Sequence, residues 1–260
     1  MTDVALITGA SSGIGAEFAR QLAAEGRDLA LVARSVDRMD ELAATLRQAH
    51  RVRVEVIGQD LAAPDATARV VAELGARGLE VTLLVNNAGF GTCGRFEEIP
   101  ADRDHDQLMV NVVALTDLTH ALVPAMLARG RGGVINVGST AGFQPAAYFA
   151  VYSAAKAFVL NFSLALWSEY RDRGLHVLAL CPGPVETGFF EAIGTRRAAI
   201  GGRFETPQRV VAGALRALAR NRGYVVSGPG TFAGAHLQPR RPRRLMARIS
   251  RMVTRGVLPA

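Results

Sequence analysis

Val4-Ala5-Leu6-Ile7-Thr8-Gly9-Ala10-Ser11-Ser12-Gly13-Ile14-Gly15 opens the chain with an apolar run that breaks into a glycine-rich turn and then into an Ala-rich amphipathic stretch. Strand, turn and helix in that order make the first unit of a parallel sheet, because the chain must cross over the sheet before it can lay down the next parallel strand. The glycines permit a tight turn, and the free N–H groups and positive dipole at a helix start suit a pyrophosphate. The spacing is G-x-x-x-G-x-G rather than G-x-G-x-x-G, so the reading rests on its place at the first strand-to-helix junction. Gly9, Ser11, Ser12, Gly13, Ile14 and Gly15 are therefore candidate cofactor-binding residues.

Outward from this turn, the same alternation repeats. Strands are expected at Val4–Thr8, Leu29–Ala33, Val52–Gly58, Thr82–Asn86, Gly133–Gly138, His176–Cys181 and Gly223–Ser227. Helices are expected at Ile14–Glu25, Ser35–Ala49, Pro64–Gly75, Arg103–Arg129, Val151–Arg173 and Thr206–Arg220. This predicts an α/β fold: one domain over residues 1–237 with a doubly wound parallel seven-stranded sheet, its ligands at the carboxyl ends of the strands. Gly228–Pro242 reads as a Gly/Pro-rich linker to a tail, residues 238–260.

Composition narrows the function. A chain of 260 residues, 49% hydrophobic, has ample material for one core. The start carries no basic n-region or cleavable apolar stretch, and no uninterrupted apolar run approaches ~18 residues, so a soluble cytoplasmic protein is expected. Cys93 and Cys181 have no metal-ligand spacing, so no metal site is expected, and reduced, buried thiols fit. The net charge of +7 suggests nucleic acid until it is located. Arg240, Arg241, Arg243, Arg244, Arg248, Arg251 and Arg255 lie in the acid-free tail, and the remaining body is formally neutral, with no excess for a phosphate backbone.

At the end of the second strand stands Ala33-Arg34-Ser35, where an acid would bind a ribose 2′-hydroxyl and an arginine accommodates a 2′-phosphate. NADP(H) is thereby favoured, with NAD(H) as the alternative. Arg38, one turn on, could assist Arg34. Asp60-Leu61 and Asn86-Asn87-Ala88-Gly89 lie at further carboxyl ends. Tyr152-Ser153-Ala154-Ala155-Lys156 places a phenol and an ammonium on one helix face. Lys156 is the only lysine in a chain whose Lys+Arg total is 30. Such isolation marks a need for a compact charge on a flexible stem, which a planar guanidinium does not replace.

Thr8-Gly9-x-x-x-Gly13-x-Gly15, Asn86-Asn87-Ala88-Gly89, Asn111, Ser139, Tyr152-x-x-x-Lys156 and Pro182-Gly183-x-x-x-Thr187, in that order, resemble the short-chain dehydrogenase/reductase family over about residues 3–227. The resemblance implies a Rossmann-type domain, a nicotinamide cofactor and carbonyl/alcohol interconversion. It assigns proton donation to Tyr152, support of the phenol and of the nicotinamide ribose to Lys156, orientation of the substrate oxygen to Ser139 and a water relay to Asn111. It further implies contacts of Asn87, Ala88, Gly89, Pro182, Gly183, Val185 and Thr187 with the cofactor. Positive charge from Lys156 and the oxidised nicotinamide is expected to favour the phenolate. Ser12 stands where many NADP-preferring members carry a second basic residue. Pairing into a homodimer or homotetramer through the helices of Asn111 and Tyr152 is also implied.

Three stretches should face the reacting carbon: Phe90–Phe96, Phe143–Phe149 and Phe189–Ile193. Their aromatic content and scarcity of paired charge point to a lipophilic ketone, 3-oxoacyl, steroid-like or polyketide-like. A non-catalytic NADP-binding sensor on the same fold would have no use for Asn111, Ser139, Tyr152 and Lys156 together. In the tail, Leu245, Met246, Ile249, Met252 and Val253 form an apolar stripe among arginines. This basic amphipathic helix is expected to pack that stripe on protein, with peripheral attachment to an anionic membrane as the alternative.

Overall fold

The structure is a computed structural model and describes residues 2–193, 204–228, 235–237 and 242–257. Seven strands pair in parallel: β1 (Thr2–Thr8), β2 (Asp28–Ala33), β3 (Val54–Gly58), β4 (Leu79–Asn86), β5 (Gly132–Val137), β6 (Leu175–Cys181) and β7 (Tyr224–Val226). Their order is β3-β2-β1-β4-β5-β6-β7, so the winding reverses between β1 and β4 and opens a crevice at the carboxyl ends there. The expected strands and helices are present within a few residues. β4 begins earlier than predicted because its first residues pair with the start of β1, Thr2 opposite Leu79 and Val4 opposite Val81.

Period-2 alternation splits every strand between two cores. Ala5 and Ile7 of β1 and Leu29 and Leu31 of β2 join Phe18 and Leu22 of α1 (Gly13–Ala24), Met39 of α2 (Val36–His50) and Val210 of α8 (Pro207–Ala219). Val4, Leu6, Ala30 and Val32 face the other way, against Val70 of α3 (Ala66–Ala76) and Leu118 and Met126 of α5 (Leu115–Ala128). Both faces of the sheet are covered, which is why these strands read as continuous apolar runs.

The predicted helix Arg103–Arg129 is corrected. It divides into α4 (Ala101–Leu108), a π-helical turn at Met109–Ala114, and α5. Sequence periodicity cannot register the extra residue of a π turn, here the turn that carries Asn111. Behind the crevice runs a buried polar chain. Asn86 Nδ2 donates to Asn136 Oδ1 at 2.9 Å and to Thr119 Oγ1 at 3.0 Å, and Asn136 Nδ2 donates to Ser163 Oγ at 3.0 Å. It ties β4, β5 and α5 to α6 (Ala150–Tyr170). By length and composition Ala101–Ala128 and Ala150–Tyr170 could each cross a membrane, yet here they pack inward through Leu118 and Met126 and through Val159 and Leu160.

The predicted linker Gly228–Pro242 falls mainly outside the described residues, as do Arg240, Arg241 and residues 194–203. Beyond it lies α9 (Arg243–Thr254).

Candidate active site

A cavity of about 970 Å³ lies over the carboxyl ends of the strands. Its first wall is the glycine turn, with Gly9, Ser11, Ser12, Gly13 and Ile14 facing in. Gly9 (φ +64°) and Gly13 (φ +54°) occupy the left-handed region. A Cβ on Gly9 would stand 2.8 Å from the Ala88 Cα, and one on Gly15 2.3 Å from the Gly9 carbonyl oxygen. Gly15 itself lies behind the wall and sets the close fold of the turn. Asn87 Nδ2 donates to the carbonyls of Thr8 and Gly9, and Thr8 Oγ1 accepts from the N–H groups of Asn87 and Ala88. Thr8, which sequence reasoning passed over, thus pins the β1 and β4 loops together. Ser12 holds the N-cap position of α1 without a side-chain cap bond, so the helix start keeps its donors for a ligand.

The floor continues with Ala88 and Gly89, and the far side with Pro182, Gly183, Val185 and Thr187, the last in reach of Gly13. At the other end Arg34, Arg38, Asp60 and Leu61 line the cavity. Arg34 lies 3.9 Å from the Asp60 carboxylate but is largely exposed, a weak pairing that leaves the guanidinium accessible. Ser35 sits at the N-cap of α2 yet makes no side-chain cap bond. The turn that only glycines permit, the open helix start and the exposed arginines fit a phosphorylated dinucleotide.

Tyr152 and Lys156 stand one turn apart on α6, both on the cavity wall with Ser139. Ser139 caps the short helix Thr140–Phe143, accepting from Ala141 N at 3.1 Å, and its hydroxyl also acts on the Tyr152 phenol, favouring the ionised form. A structural cap and a place beside the phenol therefore coexist in one hydroxyl. Lys156 is buried, its Nζ donating to Val137 O at 2.8 Å and lying 5.8 Å from the Tyr152 ring centroid. Gly91 and Phe189, the first residue of α7 (Phe189–Ala192), pack against the ring, the latter with centroids 5.6 Å apart. Asn111 is buried off the wall. Its Nδ2 donates to Phe90 O at 2.8 Å and its Oδ1 accepts from Phe90 N at 3.2 Å, a two-point clamp on the loop between β4 and α4. Gly89 separates Asn111 Oδ1 from Lys156 Nζ.

Without the charge of a nicotinamide, burial dominates the electrostatics of the pair. Part of the Tyr152 ring faces open space, yet burial pushes its phenol up to about 12, against the smaller downward pull of Ser139. Lys156 is not among the groups lowering it. Burial also brings Lys156 down to about 8, opposed by Cys181, and pushes the Cys181 thiol up to about 12. With the protein's own groups alone, desolvation outweighs attraction, and the phenol holds its proton at neutral pH.

The apolar end of the cavity is built by Phe149 with Ala146, Tyr152, Phe190 and Ile193, close to the predicted stretches, whereas Phe96 points to solvent. Arg103 also lines it, 4.9 Å from the Phe90 ring centroid. The unanticipated wall is α9. Met246, Ile249, Ser250, Val253 and Thr254 line the cavity, and Ser250 Oγ accepts from Ala147 N at 2.9 Å. The helix docks on its own domain through only part of the predicted stripe: Met246 is buried beside Ser250 and Thr254, Ile249 and Val253 line the cavity, and Leu245 and Met252 face outward. Hydroxyls that can pair with the Ala147 amide and the helix backbone determine the buried face, a choice that apolar periodicity does not register.

Residues 3–198 match the family of short chain dehydrogenases. A very-long-chain 3-oxoacyl-CoA reductase of Anas platyrhynchos is 35% identical over 188 residues, 70% of this chain and 60% of that protein. The chain thus spans less than two thirds of the length of this curated relative. Among solved structures, a short-chain dehydrogenase from Sphingobium yanoikuyae in complex with NADPH is 35% identical with a TM-score of 0.81, covering 90% of this chain and 91% of that one. A bulky-bulky ketone specific alcohol dehydrogenase from Comamonas testosteroni is 34% identical with a TM-score of 0.75, over 87% and 86% of the two chains.

Proposed function

Because this chain belongs to the short-chain dehydrogenase family, we propose that it is an NADPH-dependent oxidoreductase that reduces a lipophilic ketone to an alcohol. The observation that carries the reading is one cavity joining the glycine turn and Arg34 at one end to Ser139, Tyr152 and Lys156 and an aromatic compartment at the other. The names of the related proteins point to 3-oxoacyl or bulky ketone substrates.

The bound nicotinamide cofactor supplies the hydride. Gly9, Ser11, Ser12, Gly13 and Ile14 would hold its pyrophosphate, Arg34 and Arg38 its 2′-phosphate, and Lys156 its nicotinamide ribose; Asp60, Leu61, Asn87, Ala88, Gly89, Pro182, Gly183, Val185 and Thr187 complete the cleft. Ser139 hydrogen-bonds the substrate oxygen. Tyr152, kept protonated by its burial, donates its proton as negative charge develops on that oxygen. Hydride on carbon and proton on oxygen complete the alcohol. Asn111 holds the Phe90 loop and, through the space at Gly89, would anchor a water that returns a proton toward Lys156. Two copies would pair through α4, the π turn, α5 and α6, where Leu108, Val113 and Phe158 stay exposed.

NADPH oxidation measured across a carbonyl panel tests this. Bulky apolar ketones should outpace small charged keto acids, and Tyr152→Phe should lower kcat by roughly 10²–10⁴ while NADPH binding persists. Consumption of NADPH by no member of the panel would remove the reading.

A further inference from the structure

α9 leaves part of its apolar stripe on its outward, arginine-bearing face. Met246, Ser250 and Thr254, at i, i+4 and i+8, face the protein, so two of the three buried side chains carry hydroxyls. On the opposite side Leu245 is 45% exposed and Met252 74% exposed, one heptad apart, with Arg248 between them. Arg243, Arg244, Arg251 and Arg255 are exposed around this pair. Among the described residues none of these five arginines meets a carboxylate within ion-pair distance. No acid occurs anywhere in residues 238–260.

We propose that the outward face of α9 docks the protein on an anionic lipid surface, setting the rim of the substrate cavity against the bilayer. Charge selects the occupant: five exposed arginines on α9 and just past its end, without a carboxylate partner among the described residues, suit a dense field of anions. The two apolar tips fit the same occupant: a headgroup layer accepts Leu245 and Met252 while arginine stems reach back to phosphate. With only Leu245 and Met252 to insert, apolar burial gives marginal adsorption, so attachment depends on anionic lipid and weakens with salt.

The position of the helix gives this contact a use. Val253 stands on the boundary, 53% exposed and also lining the cavity, so a lipophilic carbonyl dissolved in the bilayer would meet the cavity at this edge. The delivery of substrate rests on the ketone-reductase reading; the docking does not.

Co-sedimentation of the full chain with vesicles of phosphatidylcholine alone and of phosphatidylcholine with phosphatidylglycerol tests the docking. The expected result is pelleting with the anionic vesicles only, reversed by raising salt. Arg244→Gln/Arg248→Gln/Arg251→Gln should bind on the order of a hundredfold more weakly, at several-fold per cation near the surface. Leu245→Glu/Met252→Glu should bind at least tenfold more weakly, with an unchanged melting curve and unchanged NADPH affinity. Absence of wild-type binding, or equal binding by the wild type and both variants, overturns the proposal. So does a wild-type dimer that the Leu245→Glu/Met252→Glu variant loses without any vesicle binding, which gives the face to a second copy. NADPH oxidation with a water-soluble bulky ketone, without vesicles, tests the reductase reading separately.

Discussion

Lys156 is the only lysine in the chain, and its surroundings make two expectations sharp. Its Nζ is buried and tied to Val137 O at 2.8 Å, with Gly89 packed so near that a Cβ there would lie 3.5 Å from it. A guanidinium is wider and planar and does not fit this slot. Lys156→Arg should retain charge and fold yet lose on the order of a hundredfold in kcat, the scale of a lost positioning contact. The second expectation concerns stability. Burial lowers the ammonium from 10.5 to about 8. Between those values the unfolded chain holds more protons than the folded one, so this group makes stability rise with pH across that window. Denaturation midpoints should therefore climb from about pH 8 to pH 10.5 in the wild type relative to Lys156→Met, a difference of order 1–3 kcal/mol. Parallel curves for the two proteins would show that the ammonium is not desolvated.

Among the elements, the π turn at Met109–Ala114 does what a straight helix could not. It turns Asn111 toward the Phe90 backbone, where both amide atoms are used, and so holds the loop that borders Tyr152. Asn111→Ala leaves the Phe90 N–H and C=O to find other partners, at a cost of about 1–3 kcal/mol. Amide exchange through Phe90–Thr92 should quicken and kcat should fall, with NADPH binding at the glycine turn changed little; exchange as slow as wild type would separate the loop from Asn111. The strands needed no such contact to be read. Their continuous apolar runs follow from a sheet covered on both faces, with boundaries moved only where cross-strand pairing decides, as at Leu79 opposite Thr2.

At the scale of the whole molecule, α9 makes the cavity a product of both ends of the chain. Removing residues 238–260 would delete Met246, 4% exposed, and uncover the Ala147 amide. Burial of one such side chain contributes about 1.5–3 kcal/mol, so melting should fall by roughly 3–12 °C. KM for a bulky apolar ketone should rise while that for a small one holds; equal shifts for both would deny α9 a part in selecting substrate. The sheet, the glycine turn, Arg34 and the Tyr152/Lys156 turn were legible in the sequence because period, glycine placement and residue spacing act locally along the chain. Three features were not: the π turn that directs Asn111, the raised phenol of Tyr152, and the face that α9 buries. Each depends on groups remote in sequence, Phe90 for Asn111, the desolvating walls for Tyr152 and the Ala147 amide for Ser250, which meet only when the chain has folded.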